Sequence, residues 1–306
     1  MDILGIIKEK ALLKKRKILL IEGDDERVIE AAKMASFCEP VLLTDKTISG
    51  LKTRKLGITP EHISKLCKLR EHKGLKEKEA QELLKDPNYF GALLLALGEY
   101  DGAVGGCKYS TAEWMRPVFQ IVGPKKGVNT ISAVCFIIIG EKAYFFSDTD
   151  FNIEPNSSEL AEITINANDF VKAMGIKPKV SMLSYSTKGS GEHPVLEHIR
   201  DALAIVKKKR KDIIIDGEMQ LDASINPDAA MRKAPNSVLK GDANVLIFPN
   251  ITVGNVLIHG LVQWTNYRFF GSFPVGLAKP VINGGRSMNA AQIHDLILAC
   301  AMEANL

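Results

Sequence analysis

Lys17-Ile18-Leu19-Leu20-Ile21-Glu22 is a short apolar run approached by charge, and Asp24-Asp25 follow directly, opening a stretch with apolar residues at helical spacing out to Ser36. A run without polar alternation suits a strand buried on both faces, and an acidic pair ahead of a helical period suits a helix start. Outward from there the same alternation continues. Residues 40–43 read as a second strand, 77–84 and 89–97 as helices split at Asp86-Pro87, and 102–105 as a strand ending in Gly106. Residues 111–122 read as a helix that Pro117 bends. Residues 131–139 and 143–147 read as an antiparallel pair across Gly140-Glu141-Lys142. In the second half, 160–174 and 194–208 read as helices, and 179–185, 212–216 and 244–248 as strands. Alternation of this kind predicts an α/β protein with parallel sheets covered by helices. The stretch 148–158, rich in Asp, Asn, Pro and Ser, is the expected domain boundary.

The bulk composition fits that picture. A chain of 306 residues, 46% hydrophobic and 25% charged, is long enough for two domains with full cores. A net charge of +4 gives no basic stripe of the kind a nucleic-acid binder needs. No apolar run approaches the roughly 18 residues of a membrane span. The N-terminus does not read as a signal peptide, because Lys8, Glu9 and Lys10 break its first apolar stretch. The cysteines, Cys38, Cys67, Cys107, Cys135 and Cys300, are dispersed, so neither a zinc site nor a disulfide framework is expected, and reduced thiols in a cytoplasm are.

Four strand ends carry residues suited to anions, and ligands of open α/β sheets bind beyond the carboxyl ends of strands. Gly105-Gly106-Cys107-Lys108-Tyr109-Ser110-Thr111 leads into a helix holding Arg116, where glycines admit a ligand and a helix start offers donors to phosphate, or where Ser110 is simply a cap. Ser184 to Gly191 concentrates hydroxyls, two glycines and Lys188 without the spacing of a Walker loop, and reads equally as a polar connection. Pro249 to Asn255 follows the strand at 244–248. Asn283-Gly284-Gly285-Arg286-Ser287-Met288-Asn289 places an arginine between glycines and the last helix, as a bidentate phosphate clamp or as an exposed turn. The acids Asp216, Glu218 and Asp222 are compatible with a metal but also with turn capping, and no metal is expected. No GxGxxG follows a strand, so a nicotinamide cofactor is not indicated.

These residues resemble the phosphate acetyl/butyryl transferase family. The resemblance spans nearly the whole chain. It rests on Gly23-Asp24-Asp25-Glu26-Arg27-Val28, Leu69-Arg70-Glu71-His72-Lys73-Gly74, Ser110-Thr111 and Arg116-Pro117. It continues through Met182-Leu183-Ser184-Tyr185-Ser186-Thr187-Lys188-Gly189-Ser190, Asp216-Gly217-Glu218-Met219-Gln220-Leu221-Asp222, Lys233-Ala234-Pro235 and Gly276-Leu277-Ala278-Lys279-Pro280.

The resemblance implies two α/β/α three-layer domains with a cleft between them, similar to the isopropylmalate dehydrogenase arrangement, and a homodimer. With the last helix returning to the first domain, the expected bounds are 1–148 plus 288–306 and 149–287. The implied reaction is acetyl phosphate plus coenzyme A giving acetyl-CoA plus phosphate, by direct thiolate attack, with coenzyme A as a substrate and no cofactor. Arg286 matches the family's phosphate-binding arginine, and Arg70 and Arg116 match arginines that contact coenzyme A. Ser110, Thr111, Ser184 and Ser186 match cleft-lining hydroxyls, and Asn255 falls in the family's Gly-Asn motif. The sequence departs from the family at the chemistry. The family serine falls on Gly285, the family aspartate on Gln292, and the Tyr-Lys pair after the Gly-Asn motif on Ile258 and His259. His259 is therefore a candidate replacement base. A binding homologue without turnover, or a transferase of another short acyl group, are the alternative expectations.

Overall fold

A computed structural model describes residues 2–265 and 267–306. Strands in chain order are β1 (Lys17–Leu20), β2 (Glu39–Leu43), β3 (Lys52–Arg54), β4 (Gly102–Gly105), β5 (Ser132–Ile139), β6 (Lys142–Ser147), β7 (Val180–Leu183), β8 (Ile215–Met219), β9 (Val245–Ile247), β10 (Arg268–Val275) and β11 (Val281–Asn283). The α-helices are α1 (Ile3–Leu12), α2 (Glu26–Met34), α3 (Pro60–Leu69), α4 (Glu77–Leu83), α5 (Pro87–Ala96), α6 (Thr111–Pro117), α7 (Ser157–Ala173), α8 (Glu197–Lys209), α9 (Leu221–Ile225), α10 (Pro227–Lys233), α11 (Ile251–Trp264) and α12 (Ala290–Glu303). No helix among the described residues is long and apolar enough to cross a membrane.

Ile18, Leu19 and Leu20 are fully buried, which places β1 at the centre of an all-parallel sheet ordered β11-β4-β1-β2-β3. Successive residues of a strand face opposite sides. A Cβ on Gly91 of α5 would meet Ile21 Cδ1 at 2.4 Å and Leu19 Cδ2 at 3.6 Å. A Cβ on Gly102 would meet Cys300 Sγ of α12 at 2.7 Å and Ile18 Cδ1 at 3.3 Å. Helices α5 and α12 thus cover opposite faces, giving three layers. Pro117 ends α6, and a π-helical turn over Val118–Val122 takes the place of the single bent helix expected there.

The second sheet is mixed, ordered β10-β5-β6-β9-β7-β8, with β6, β9, β7 and β8 parallel and β10, β5 and β6 antiparallel to one another in turn. Phe136, Phe145, Phe170 and Phe273 cluster on the side of α7. Phe146, Phe248 and Ile258 pack on the opposite side with residues from α9 to α11.

The chain divides into two compact units. One contains Leu4–Gly127 with Leu277–Leu306 and carries the parallel sheet; the other contains Val128–Gly276, with the first residues up to Ile3, and carries the mixed sheet. The bounds differ from those expected at 148 and 287. The hairpin of β5 and β6 pairs with β10 and β9, so it belongs to the mixed-sheet unit. The polar stretch after Ser147 is the β6–α7 connection, and the chain rejoins the first unit at Leu277, so that β11 as well as α12 is returned to it.

Candidate functional site

In the parallel-sheet unit, Leu20 pairs with Val104 and Gly105 with Asn283, so the carboxyl ends of β1, β4 and β11 lie side by side. From β1 the chain proceeds to β2 on one side, while β4 and β11 lie on the other. The gap between β1 and β4 is therefore the switch point where open sheets bind ligands. The loops that meet there are 21–25, 106–110 and 284–289.

Two side chains from the β1 loop organise the others. Glu22 is buried, and its Oε1 accepts the N–H of Gly106 at 2.7 Å and of Lys108 at 3.3 Å. Burial pushes its carboxyl above the ordinary range, and the backbone N–H groups pull it partly back. Asp25 caps α2, accepting from Arg27 N at 2.9 Å, and it also accepts Arg27 Nε at 3.0 Å and Nη2 at 2.7 Å. The remaining Arg27 donors reach Cys107 O at 2.9 Å, Arg286 O at 2.8 Å and Met288 O at 2.8 Å. Gly106 has φ +82, and a Cβ there would strike Asn283 Oδ1 at 2.5 Å, so only glycine fits.

Ser110 is the N-cap of α6. Its Oγ accepts Glu113 N at 3.3 Å, and its N–H and O–H donate to Glu113 Oε2 at 2.7 and 2.6 Å. These bonds hold the Glu113 carboxyl below its ordinary range, with a smaller contribution from the charge of Arg286. Asn283 Nδ2 donates to Thr111 Oγ1 at 3.2 Å. The α6 start at Ser110 and Thr111 is thus tied to the segment that leads into Gly285 and Arg286. Arg286 itself is exposed. Gln292 is committed to a capping box: Asn289 N donates to Gln292 Oε1 at 2.9 Å and Gln292 N to Asn289 Oδ1 at 3.0 Å. Arg116 is exposed on the last turn of α6, and Arg70 Nη1 donates to Gln120 O at 3.2 Å just beyond it. Both arginines therefore attach to the segment that begins at Ser110.

The other expected residues lie in the mixed-sheet unit. Ser184 Oγ accepts Ser186 N at 3.2 Å. Ser186 is fully buried, donating to Glu218 Oε1 at 3.1 Å and accepting Gly191 N at 3.0 Å, so it braces its own loop. Arg200 donates to both oxygens of Glu218 at 3.1 Å, and Gly189 N donates at 2.8 Å. Burial pushes Glu218 up, but these donors outweigh it and hold the carboxyl at about 2. Asp216 pairs with Lys188, and Asp222 with Lys233. Each of the three acids considered for a metal is therefore ion-paired. Among the described residues no cluster of three His, Cys, Asp or Glu side chains fit to hold a metal is found. Asn255 Nδ2 donates to Thr149 O at 3.2 Å, fixing α11 to the end of β6. His259 is exposed on α11, whereas Ile258 is buried in the core.

A family model described as Phosphate acetyl/butaryl transferase matches residues 2–301. The chain belongs to this family. A phosphate acetyltransferase of Bacillus subtilis (strain 168) is 36% identical over 321 aligned residues, covering 99% of each chain. Among solved structures, a phosphotransacetylase from Streptococcus pyogenes superposes with a TM-score of 0.91 at 33% identity, and the EutD phosphotransacetylase from Staphylococcus aureus with 0.90 at 34%. Each comparison covers 99% of this chain and 98% of the other.

The organising roles of Glu22 and Arg27, and the pairing of Arg200 with Glu218, emerge only from the structure. Glu22 ends an apolar run and had read as the close of a strand. Arg27 sits two residues beyond a helix-capping aspartate, a local Asp-x-Arg signal for a side chain turned back toward the cap.

Proposed function

We propose that the chain transfers an acetyl group between acetyl phosphate and coenzyme A. The observation that carries this reading is the Arg286 loop. Its backbone carbonyls are fastened by Arg27, the Arg286 side chain is exposed, Asn283 just before the loop bonds Thr111 at the α6 start, and the chain belongs to a phosphate acyltransferase family. An arginine offers a planar fork to a phosphate, and Ser110 and Thr111 add hydroxyls at a helix start. Arg116 on that helix and Arg70, bonded to Gln120 just beyond it, serve the phosphates of coenzyme A.

In this reading the thiolate sulfur of coenzyme A attacks the acetyl carbonyl carbon. The carbon–oxygen bond to phosphorus breaks, and the leaving oxygen keeps the electron pair. The thiol proton ends on the departing phosphate. Arg286 stabilises charge gathering on that phosphate, the kind of interaction whose removal costs about 10²- to 10³-fold. An unperturbed thiol is a few per cent thiolate at neutral pH. Turnover without a dedicated base is therefore slow but real. The chain works as a cytoplasmic homodimer and uses no cofactor besides its substrates.

A second reading is favoured by two particular residues. Gly285 brings no hydroxyl, and Gln292, already used in capping, cannot accept a proton as an aspartate would. These suit a protein that binds acyl-CoA without turning it over. The intact protein with acetyl phosphate and coenzyme A decides between them. Thioester formation that falls roughly 100-fold in Arg286→Ala supports the transferase. Acetyl-CoA binding without turnover supports the binding homologue.

A further inference from the structure

We infer that Arg27 is the positioning residue of the phosphate site, setting the backbone from which Arg286 projects. The inference rests on the reading of Arg286 as the phosphate-binding residue. A guanidinium has five N–H donors in a fixed plane. Arg27 directs them to five contacts: two on Asp25, one each on the carbonyls of Cys107, Arg286 and Met288. Only the Asp25 contacts serve the cap of its own helix. The other three reach loops that follow β4 and β11, and two of them hold the backbone at Arg286 itself and two residues beyond it.

This hold matters because the approach to Arg286 is otherwise pliant. Gly284 and Gly285 precede it, and the loop's own bonds are Gly284 N to Gly105 O at 2.7 Å and Met288 N to Gly285 O at 3.1 Å. Neither bond acts on the carbonyl of Arg286. Asp25 in turn fixes the plane of the fork, since its two oxygens accept from Nε and Nη2 together. A lysine at this position has one nitrogen and three protons. It cannot face Asp25 and three carbonyls from separate loops at once.

The function of such a clamp is to hold a phosphate-binding side chain within a fraction of an ångström of its working position, where small displacements are expensive in rate. Its loss is felt chiefly at one substrate. Arg70 is secured by Gln120 O and Arg116 lies nine residues beyond Cys107, so the clamp bears far less on coenzyme A recognition than on phosphate.

The test compares wild type, Arg27→Lys and Arg27→Ala by steady-state kinetics with each substrate varied, together with calorimetric titration by inorganic phosphate and a melting curve. In both variants the KM for acetyl phosphate rises about 10-fold and kcat falls about 100-fold, while the KM for coenzyme A stays within about twofold. Phosphate binding weakens in parallel, and guanidinium ion added at sub-denaturing concentration restores part of the activity of Arg27→Ala but not of Arg286→Ala. Equal losses for both substrates, or unchanged kinetics and phosphate affinity in Arg27→Lys, overturn the inference while leaving the role of Arg286 intact. If wild type neither turns over nor binds phosphate, the reading of Arg286 fails, and the inference falls with it. Should Arg27→Ala not fold, Arg27→Lys retains the charge and decides alone.

Discussion

Gly285 leaves room beside Arg286. A Cβ added there would meet only the Met288 side chain, at 3.6 Å or more, which is ordinary contact distance. Gly285→Ser should therefore fold as wild type does. Gln292→Asp gives up one partner of a capping box, at about 0.5–1 kcal/mol. The double variant is expected to lose a few degrees of melting temperature and to gain roughly 10-fold or more in turnover, because it supplies a hydroxyl and a proton acceptor beside the phosphate site. Steady-state thioester formation checks it, and no gain would mean that the missing groups act elsewhere. At this scale the sequence was informative where chemistry is local. An arginine between glycines and a helix start stands out in the sequence as a candidate, and Arg286 is exposed, as both a phosphate clamp and a plain turn require. Ser186 was harder to place, because its hydroxyl is fully buried against Glu218 and only the tertiary fold brings those two together. Arg27 escaped for the same reason: its carbonyl partners lie 80, 259 and 261 residues away in the chain.

Strand β8 and the loop after β7 hold each other through Glu218. Its carboxyl is drawn from 4.5 to about 2, since Arg200, Gly189 N and Ser186 outweigh the effect of burial. A depressed folded pKa means stability that is present above 4.5 and is lost as pH falls from there through about 2. Glu218→Gln is thus expected to lower stability at neutral pH by about 2 kcal/mol and to flatten the acid limb of a melting-temperature profile. An unchanged acid limb would show that the pair carries no such load. The position of β8 was misread from sequence. The apolar run at 212–216 suggested the strand, yet it occupies Ile215–Met219, where Asp216 and Glu218 are buried because cations compensate them. Pairing of that kind is invisible to a hydrophobic pattern. Strand β10 was missed as well. It carries Gly271 and Pro274, which weaken a strand pattern but are tolerated in an edge strand, because one side of its ladder is not needed for pairing.

The whole chain should respond to alkaline pH through Glu303 on α12. One of its oxygens is buried without a hydrogen-bond partner among the described residues, and burial pushes the carboxyl up to about 8, with Lys125 pulling slightly against it. A raised folded pKa means stability that is full below 4.5 and is lost as pH rises from there through about 8. Glu303→Gln keeps the neutral form throughout. The fall in its melting temperature between pH 6 and 9 is expected to be a few degrees smaller than that of wild type, and an equal fall would contradict the assignment. The α/β class and the helix-covered parallel sheets were legible because strand and helix periods alternate along the chain. The unit bounds were not, since the polar stretch after Ser147 is only a connection, and strand pairing decides membership. Acetyl phosphate carrying a heavy-oxygen label in the bridge between carbon and phosphorus, supplied with coenzyme A and chelator-treated protein, follows the acetyl group from phosphate to thiol. One acetyl-CoA forms for each phosphate released, with the label retained in that phosphate. Phosphate release without thioester, or no thioester above a protein-free control, would contradict this transfer.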